Sequence, residues 1–278
     1  MIIESIATYH ANPAVSHSKL EVFRRRPRLY QMRYVTGELS ALEPTAAFRI
    51  GSATHCAVLE PEKFATLYAQ RPEGIDRRTK EGKAAWESFT AQHAGKDFID
   101  AEEWAQISAM TEAIRGNLLA AHLLAQGTPE LSWRVETGAI PLQCRTDWFS
   151  REGCALSGGR PYVADLKTID SLDADAFRSF ERACFQFGYH RQAGFYLPLI
   201  TEIIGTPVTD FFFVAVEKQA PFGVAVFRLT DEAVATGQDE SLADLRRLKV
   251  CRETNVWPNI EPEITDLGLP RWYAGGAR

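Results

Sequence analysis

Apolar residues recur every three or four positions at Trp104, Ile107, Met110, Ile114 and Leu118. That is the spacing of one helix face, and it predicts a single helix over 101–126 with this stripe in the core. Helical patterning also predicts elements over 79–94, 173–187, 189–204 and 230–253. Upstream, Ser16 or Ser18 can cap a helix over 19–25, and Pro27 suits the first turn of a helix ending near Gly37. A small-residue helix over 45–59 stops at Pro61, which can itself open a short one reaching Tyr68. From Leu131 the texture changes. Segments 131–136 and 140–149, joined by a Thr137-Gly138 turn, predict a hairpin, with further strands over 162–168, 210–217 and 222–229. A helical first half followed by strands and helices predicts an α/β sheet with helices packed on it. We expect one domain over 1–278: a mainly helical part (1–128), a sheet-containing core (129–253) and a tail (254–278) with a disordered Gly275-Gly276 end.

Composition narrows the class without changing that outline. Of 278 residues, 45% are hydrophobic and 24% charged, values of ordinary globular chains rather than disordered or fibrous ones. The longest apolar run, Phe211 to Val216, is far short of the ~18 residues a membrane span needs. No secretory signal is readable at the N-terminus. Five scattered cysteines without a C-x-x-C pair argue against a disulfide framework or a cysteine metal site, so a cytoplasmic setting is expected. A net charge of −5 counts against nucleic acid as a partner. The basic residues are nevertheless clustered, at Arg24 to Arg33, Arg77 to Lys83 and Arg246 to Arg252. Such clusters are by default solvated faces.

The candidate chemistry centres on Asp165-Leu166-Lys167. Strand alternation puts Asp165 and Lys167 on one face, and Asp147, eighteen residues earlier and expected at the end of the hairpin strand, can aim at the same point. Converging carboxylates can share a hard divalent cation. The lysine can orient or deprotonate water, or neutralise a phosphate. Gln192 and Tyr196, four apart, share a helix face. His55 lies in a small-residue helix, where a buried structural imidazole and a metal ligand are both open readings. No P-loop, H-E-x-x-H or G-x-S-x-G competes.

In order, Gly51-x-x-x-His55, Glu130, Arg145-x-Asp147, Asp165-Leu-Lys-Thr168 and Tyr189-His-x-Gln-x-x-x-Tyr196 resemble the PD-(D/E)XK nuclease superfamily. Within it the pattern is most similar to exodeoxyribonuclease VIII, or RecE-type, exonucleases of phages and prophages. RecB-type domains and lambda exonuclease are more distant. The opening Ser16-His-Ser18-x-Leu20, with Pro27 and Tyr30, extends the likeness over nearly the whole chain. The resemblance implies a restriction-endonuclease-like core: a central mixed sheet flanked by helices. It implies magnesium or manganese held by His55, Asp147, Asp165 and the Leu166 carbonyl, with Lys167 as catalytic lysine. Glu130 matches an assisting acid, and Gln192 and Tyr196 a helix that supports the site and contacts DNA. Arg24, Arg25, Arg28, Arg77, Arg78, Arg145, Tyr189 and His190 become candidate DNA contacts. Asp165 stands where the superfamily's commonest form has glutamate, and the cysteines lack the spacing of an iron–sulfur staple.

The implied activity is metal-dependent digestion of linear duplex DNA from its ends, 5′ to 3′. It would leave 3′ single strands for a single-strand annealing recombinase, in a bacterial or phage-infected cell. By the same resemblance the protein is expected to form a trimeric or tetrameric ring. The rival readings are a structure-specific or RecB-like endonuclease and an inert DNA-end-binding module of the same fold.

Overall fold

The computed structural model describes residues 1–40, 46–136, 138–172, 176–259 and 266. The expected helix start at Thr45, the Thr137 turn position, the helix start at Asp173 and the Gly275-Gly276 end lie outside them. Among the described residues the helical part comprises α1 (Ile6–Ala11), α2 (His17–Arg25), α3 (Pro27–Tyr34), α4 (Ala46–Leu59), α5 (Pro61–Leu67), α6 (Lys80–Gln92), α7 (Ala101–Gly116) and α8 (Leu118–Leu123). Two three-residue strands, β1 (Tyr68–Gln70) and β2 (Asp97–Ile99), pair in parallel on either side of α6 in sequence. The second part comprises β3 (Thr128–Val135), β4 (Leu142–Ser150), β5 (Tyr162–Ile169), α9 (Ala176–Phe187), α10 (Tyr189–Ile204), β6 (Asp210–Glu217), β7 (Val224–Arg228) and α11 (Asp231–Thr254).

The five longer strands form one sheet in chain order, antiparallel except for the parallel β5–β6 pair. That parallel pair needs a crossover, which α9 and α10 supply. β6 is buried at every position, as a near-continuous apolar run requires when both sheet faces are covered. Phe211, Phe213 and Ala215 face one core with α2, α10 and α11. Phe212, Val214 and Val216 face another with α4, α7 and α8. Each fully buried side chain of this kind contributes roughly 1.5–3 kcal/mol.

Two expectations are corrected. The helix expected over 101–126 is two, because Asn117 ends α7 and its side chain accepts the N–H groups of Leu119 and Ala120, starting α8 afresh. Asp147 does not end the hairpin strand, which runs on to Ser150. As far as it is described, the tail packs on the helical part: Trp257 stacks on Tyr30 at 6.0 Å between ring centroids, and the Arg28 N–H donates to the Pro258 carbonyl. No helix among the described residues is long and apolar enough to cross a membrane.

Helices α10 and α11 touch backbone to backbone through a pair of glycines. A Cβ on Gly194 would sit 2.2 Å from the Gln238 nitrogen, and one on Gly237 would sit 2.0 Å from the His190 carbonyl oxygen.

Candidate metal and nuclease site

The site opens where the sheet forks. Pairing between β4 and β5 is confined to Trp148–Ser150 and Tyr162–Ala164. The next step in that register would set Asp147 opposite Asp165. There the strands part, and the Leu166 N–H donates to Asp147 Oδ2 at 2.8 Å. From α4, His55 Nδ1 approaches the same oxygen at 3.3 Å.

Glu130 reaches this point from β3 through an unusual backbone, with φ at 54°. Left-handed residues other than glycine are uncommon and tend to mark functional constraint. Arg145 fixes the carboxylate: Nε donates to Glu130 Oε2 at 2.7 Å, while Nη1 donates to Ser132 Oγ at 3.0 Å and the Glu4 carbonyl at 3.1 Å. Ligand atoms of His55, Glu130 and Asp147 all lie within 4.8 Å of one another. Burial pushes the Asp147 carboxyl up to about 8, with the charge of Asp165 adding to it. Glu130 is likewise raised, by burial and then by Asp147. His55 is lowered by burial against the pull of Asp165 and Glu130. The trio therefore crowds negative charge that a divalent cation would relieve, and one imidazole nitrogen with two carboxylate oxygens is a suitable donor set.

Asp165 and Lys167 form a second cluster beside it. Gln192, on α10, donates from Nε2 to Asp165 Oδ1 at 2.6 Å and accepts from Lys167 Nζ at 3.1 Å. The ammonium also faces Asp165 Oδ2 at 2.5 Å, closing a three-residue ring of contacts. It lies 4.6 Å from the centroid of the Tyr189 ring. Burial works against this charged lysine, but Asp165 and Asp147 overcome it and raise its pKa.

Residues 16–264 match the PDDEXK-like domain of unknown function (DUF3799). The chain belongs to that family. Among solved structures, the PDDEXK-like chain is similar to a "putative exonuclease" from Eubacterium rectale, at 12% identity and a TM-score of 0.62 with both chains covered in full. It is also similar to SSO0001, at 14% identity and a TM-score of 0.28 over 70% of this chain and 86% of that one. The first likeness is one of fold. None of the curated proteins matches the sequence.

The PDDEXK-like core thus brings together most of the sequence-predicted site residues, with two regroupings. The trio that converges for a cation contains Glu130, whereas Asp165 is engaged by Gln192 and Lys167. Leu166 enters with both backbone groups, its N–H donating to Asp147 and its backbone also hydrogen-bonding His55. Tyr196, expected to touch DNA, is instead buried in the core against Phe211. Arg145, also expected at DNA, has a side chain only 11% exposed and is committed to Glu130. The remaining basic candidates have local partners. Arg24 pairs with Glu240 and Asp244, Arg25 with Glu21, Arg78 with Asp76 and His190 with Glu240. Arg28 donates to Gln31, and Arg77 lies over the Trp86 ring.

Sequence reasoning missed the charged brace behind Gln192. Arg191 grips Glu21 with two hydrogen bonds, of 2.6 and 3.0 Å, and reaches Glu240 at 3.3 Å, tying α10 to α2 and α11. Nothing local signals a partnership spanning so much of the chain. His17 abuts this brace. Its side chain is 14% exposed, its Nε2 has no hydrogen-bond partner, and Glu21 is 3.7 Å away. Burial lowers it to about 4, with Lys167 and Arg191 pushing the same way and Glu21 and Asp165 opposing. The unfolded chain takes up that proton near pH 6.5. Stability should therefore fall as pH drops through the window from the unfolded to the folded value, by on the order of 3 kcal/mol. Urea midpoints measured above and inside that window check this. His17→Asn should flatten the acid limb, and an unchanged loss in the variant would assign it elsewhere.

Proposed function

We propose that this chain is a divalent-metal-dependent deoxyribonuclease that digests linear duplex DNA from its ends. The observation that carries this is the convergence of His55, Glu130 and Asp147 within 4.8 Å, beside the Asp165–Lys167 pair. His55, Glu130 and Asp147 would hold magnesium or manganese. When bound, such a cation neutralises charge on phosphate oxygens and lowers the pKa of a coordinated water. The chain's own groups do the rest. Lys167 presents positive charge to the scissile phosphate, where negative charge develops in the transition state. Gln192 holds Asp165 and Lys167 in register, and Arg145 aims Glu130. Loss of turnover in a binding module would leave no reason to keep this whole set.

The choice of an exonuclease draws on the RecE-type motif order and on the shared fold with the E. rectale protein, and the 5′ to 3′ direction on the RecE-type motif order alone. The 3′ strand it would leave suits an annealing recombinase.

Incubation with end-labelled linear duplex, covalently closed circles and single strands, with and without magnesium, tests the reading. Linear duplex should be degraded from its labelled ends, and EDTA should stop it. Equal cutting of closed circles would make the enzyme an endonuclease. Inertness with every divalent metal would leave a DNA-end-binding module.

A further inference from the structure

The Lys167 ammonium rests against an aromatic wall. Its nitrogen lies 4.6 Å from the centroid of the Tyr189 ring and 5.8 Å from that of Phe213. Those two rings are 5.4 Å apart, and Phe180 and Phe187 each hold Tyr189 at 5.8 Å. Phe180 is itself stacked on Phe227 at 4.3 Å. The Tyr189 ring is thus braced by β6 and α9 and, through Phe180, by β7. The chain sets this up locally: Gly188 takes φ 72° and starts α10 at Tyr189, and Gln192, three residues on, shares that face of the helix. One helix turn therefore offers the lysine both a ring and a hydrogen-bond acceptor.

We propose that Tyr189 is a positioning residue for Lys167, its ring face keeping the ammonium beside Asp165 with one N–H open to the scissile phosphate. The proposal rests on the nuclease reading for what Lys167 does, and gives Tyr189 a task other than the DNA contact that the motif resemblance implies. An ammonium carries three N–H groups. Gln192 Oε1 accepts from it at 3.1 Å, and Asp165 Oδ2 faces it at 2.5 Å. A ring face on another side attracts the charge but is a weak acceptor, so it holds the nitrogen in place and leaves a donor for a phosphate oxygen. A carboxylate there would hold the charge and consume the donor. The Tyr189 hydroxyl makes no hydrogen bond among the described residues, which leaves the ring as the working part.

The test follows turnover of linear duplex by the full chain in magnesium as the ring is altered in steps. Tyr189→Leu should lower kcat about tenfold, the scale of a partly desolvated cation–π contact, and leave KM for DNA near its wild-type value. Tyr189→Phe should recover most of that loss. Phenylalanines carrying one, two or three ring fluorines at the same position keep the shape but weaken the negative face, and log kcat should fall in proportion to the number of fluorines. A level series would overturn the proposal, since a ring that only packs gives no such dependence. A loss confined to KM would make Tyr189 a DNA contact, and a Tyr189→Phe loss as large as that of Tyr189→Leu would assign the role to the hydroxyl; either result overturns it. A second readout needs no cutting. In protein labelled at the lysine ε-carbons, the Lys167 methylene signal is identified by its absence from Lys167→Ala. The ring current should shift it upfield in the wild type and in Tyr189→Phe, and it should return to the common lysine position in Tyr189→Leu. An unshifted wild-type signal would overturn the contact. An upfield signal in a protein inert towards linear DNA would sink the nuclease reading and leave the contact standing.

Discussion

Lys167→Ala should lower DNA cleavage by about 10²–10⁴-fold, the scale expected for one proton-transferring or electrostatic group, while divalent metal binds at least as well as in the wild type. The two halves of that expectation have different causes. The Lys167 ammonium makes its hydrogen bond to Gln192 and its ion pair to Asp165, and neither contact touches the His55, Glu130 and Asp147 trio. Removing it takes a positive charge away from the neighbourhood of a bound cation, which favours the cation. It also takes away the charge offered to the phosphate. Calorimetric metal titration beside a nuclease assay reads both quantities. Cleavage by the variant at near the wild-type rate would refute the role given to this lysine, even with the fold intact.

Asp147→Asn should behave in the opposite way, abolishing cutting together with most of the stabilisation that magnesium confers. A ligand present at a hundred times its dissociation constant adds about 2.7 kcal/mol to the stability of a protein that binds it only when folded. Wild-type melting temperature should therefore climb with magnesium and that of the variant should barely move. In EDTA the order should invert, with the asparagine form the more heat-stable of the two. Three carboxylates, Glu130, Asp147 and Asp165, influence one another at the fork, and deleting one charge relieves the crowding. Sites arranged for function commonly carry such a stability penalty. Thermal melts of both proteins with and without magnesium decide the matter. A full magnesium shift in the variant would show that Asp147 is not a ligand.

Much of this arrangement was legible in the chain because local patterns and tertiary structure agree there. The bounds of α10 and β6 follow directly from a helical stretch after Gly188 and from an apolar run too short for a buried helix. The D-x-K spacing places Asp165 and Lys167 together because β5 is regular through both. What was not legible depends on departures from regularity. Gly116-Asn117 reads as a tolerable interruption of a long apolar stripe, although Asn117 is a strong cap and divides α7 from α8. The left-handed backbone of Glu130 has no sequence signature, yet it accompanies the placement of this carboxylate in the cation trio. Likewise, Arg145 two residues before Asp147 reads as a free basic group until Glu130 is found bound to it. The short β1 and β2 are set by contact with each other rather than by any run of strand-forming residues.

The glycine pair of α10 and α11 makes a helix without any reacting group a part of the apparatus. Gln192 spans from α10 to Asp165 with a side chain of fixed length, so its reach is set by how closely α10 is drawn down, and that closeness is measured against the backbone of α11 at Gly194 and Gly237. The helix separation acts as a gauge. One methyl group at either glycine would collide with backbone on the opposite helix, and the displacement would arrive at the carboxylate of Asp165 as a lengthened hydrogen bond. A position with no chemistry of its own thereby sets the tolerance of the site.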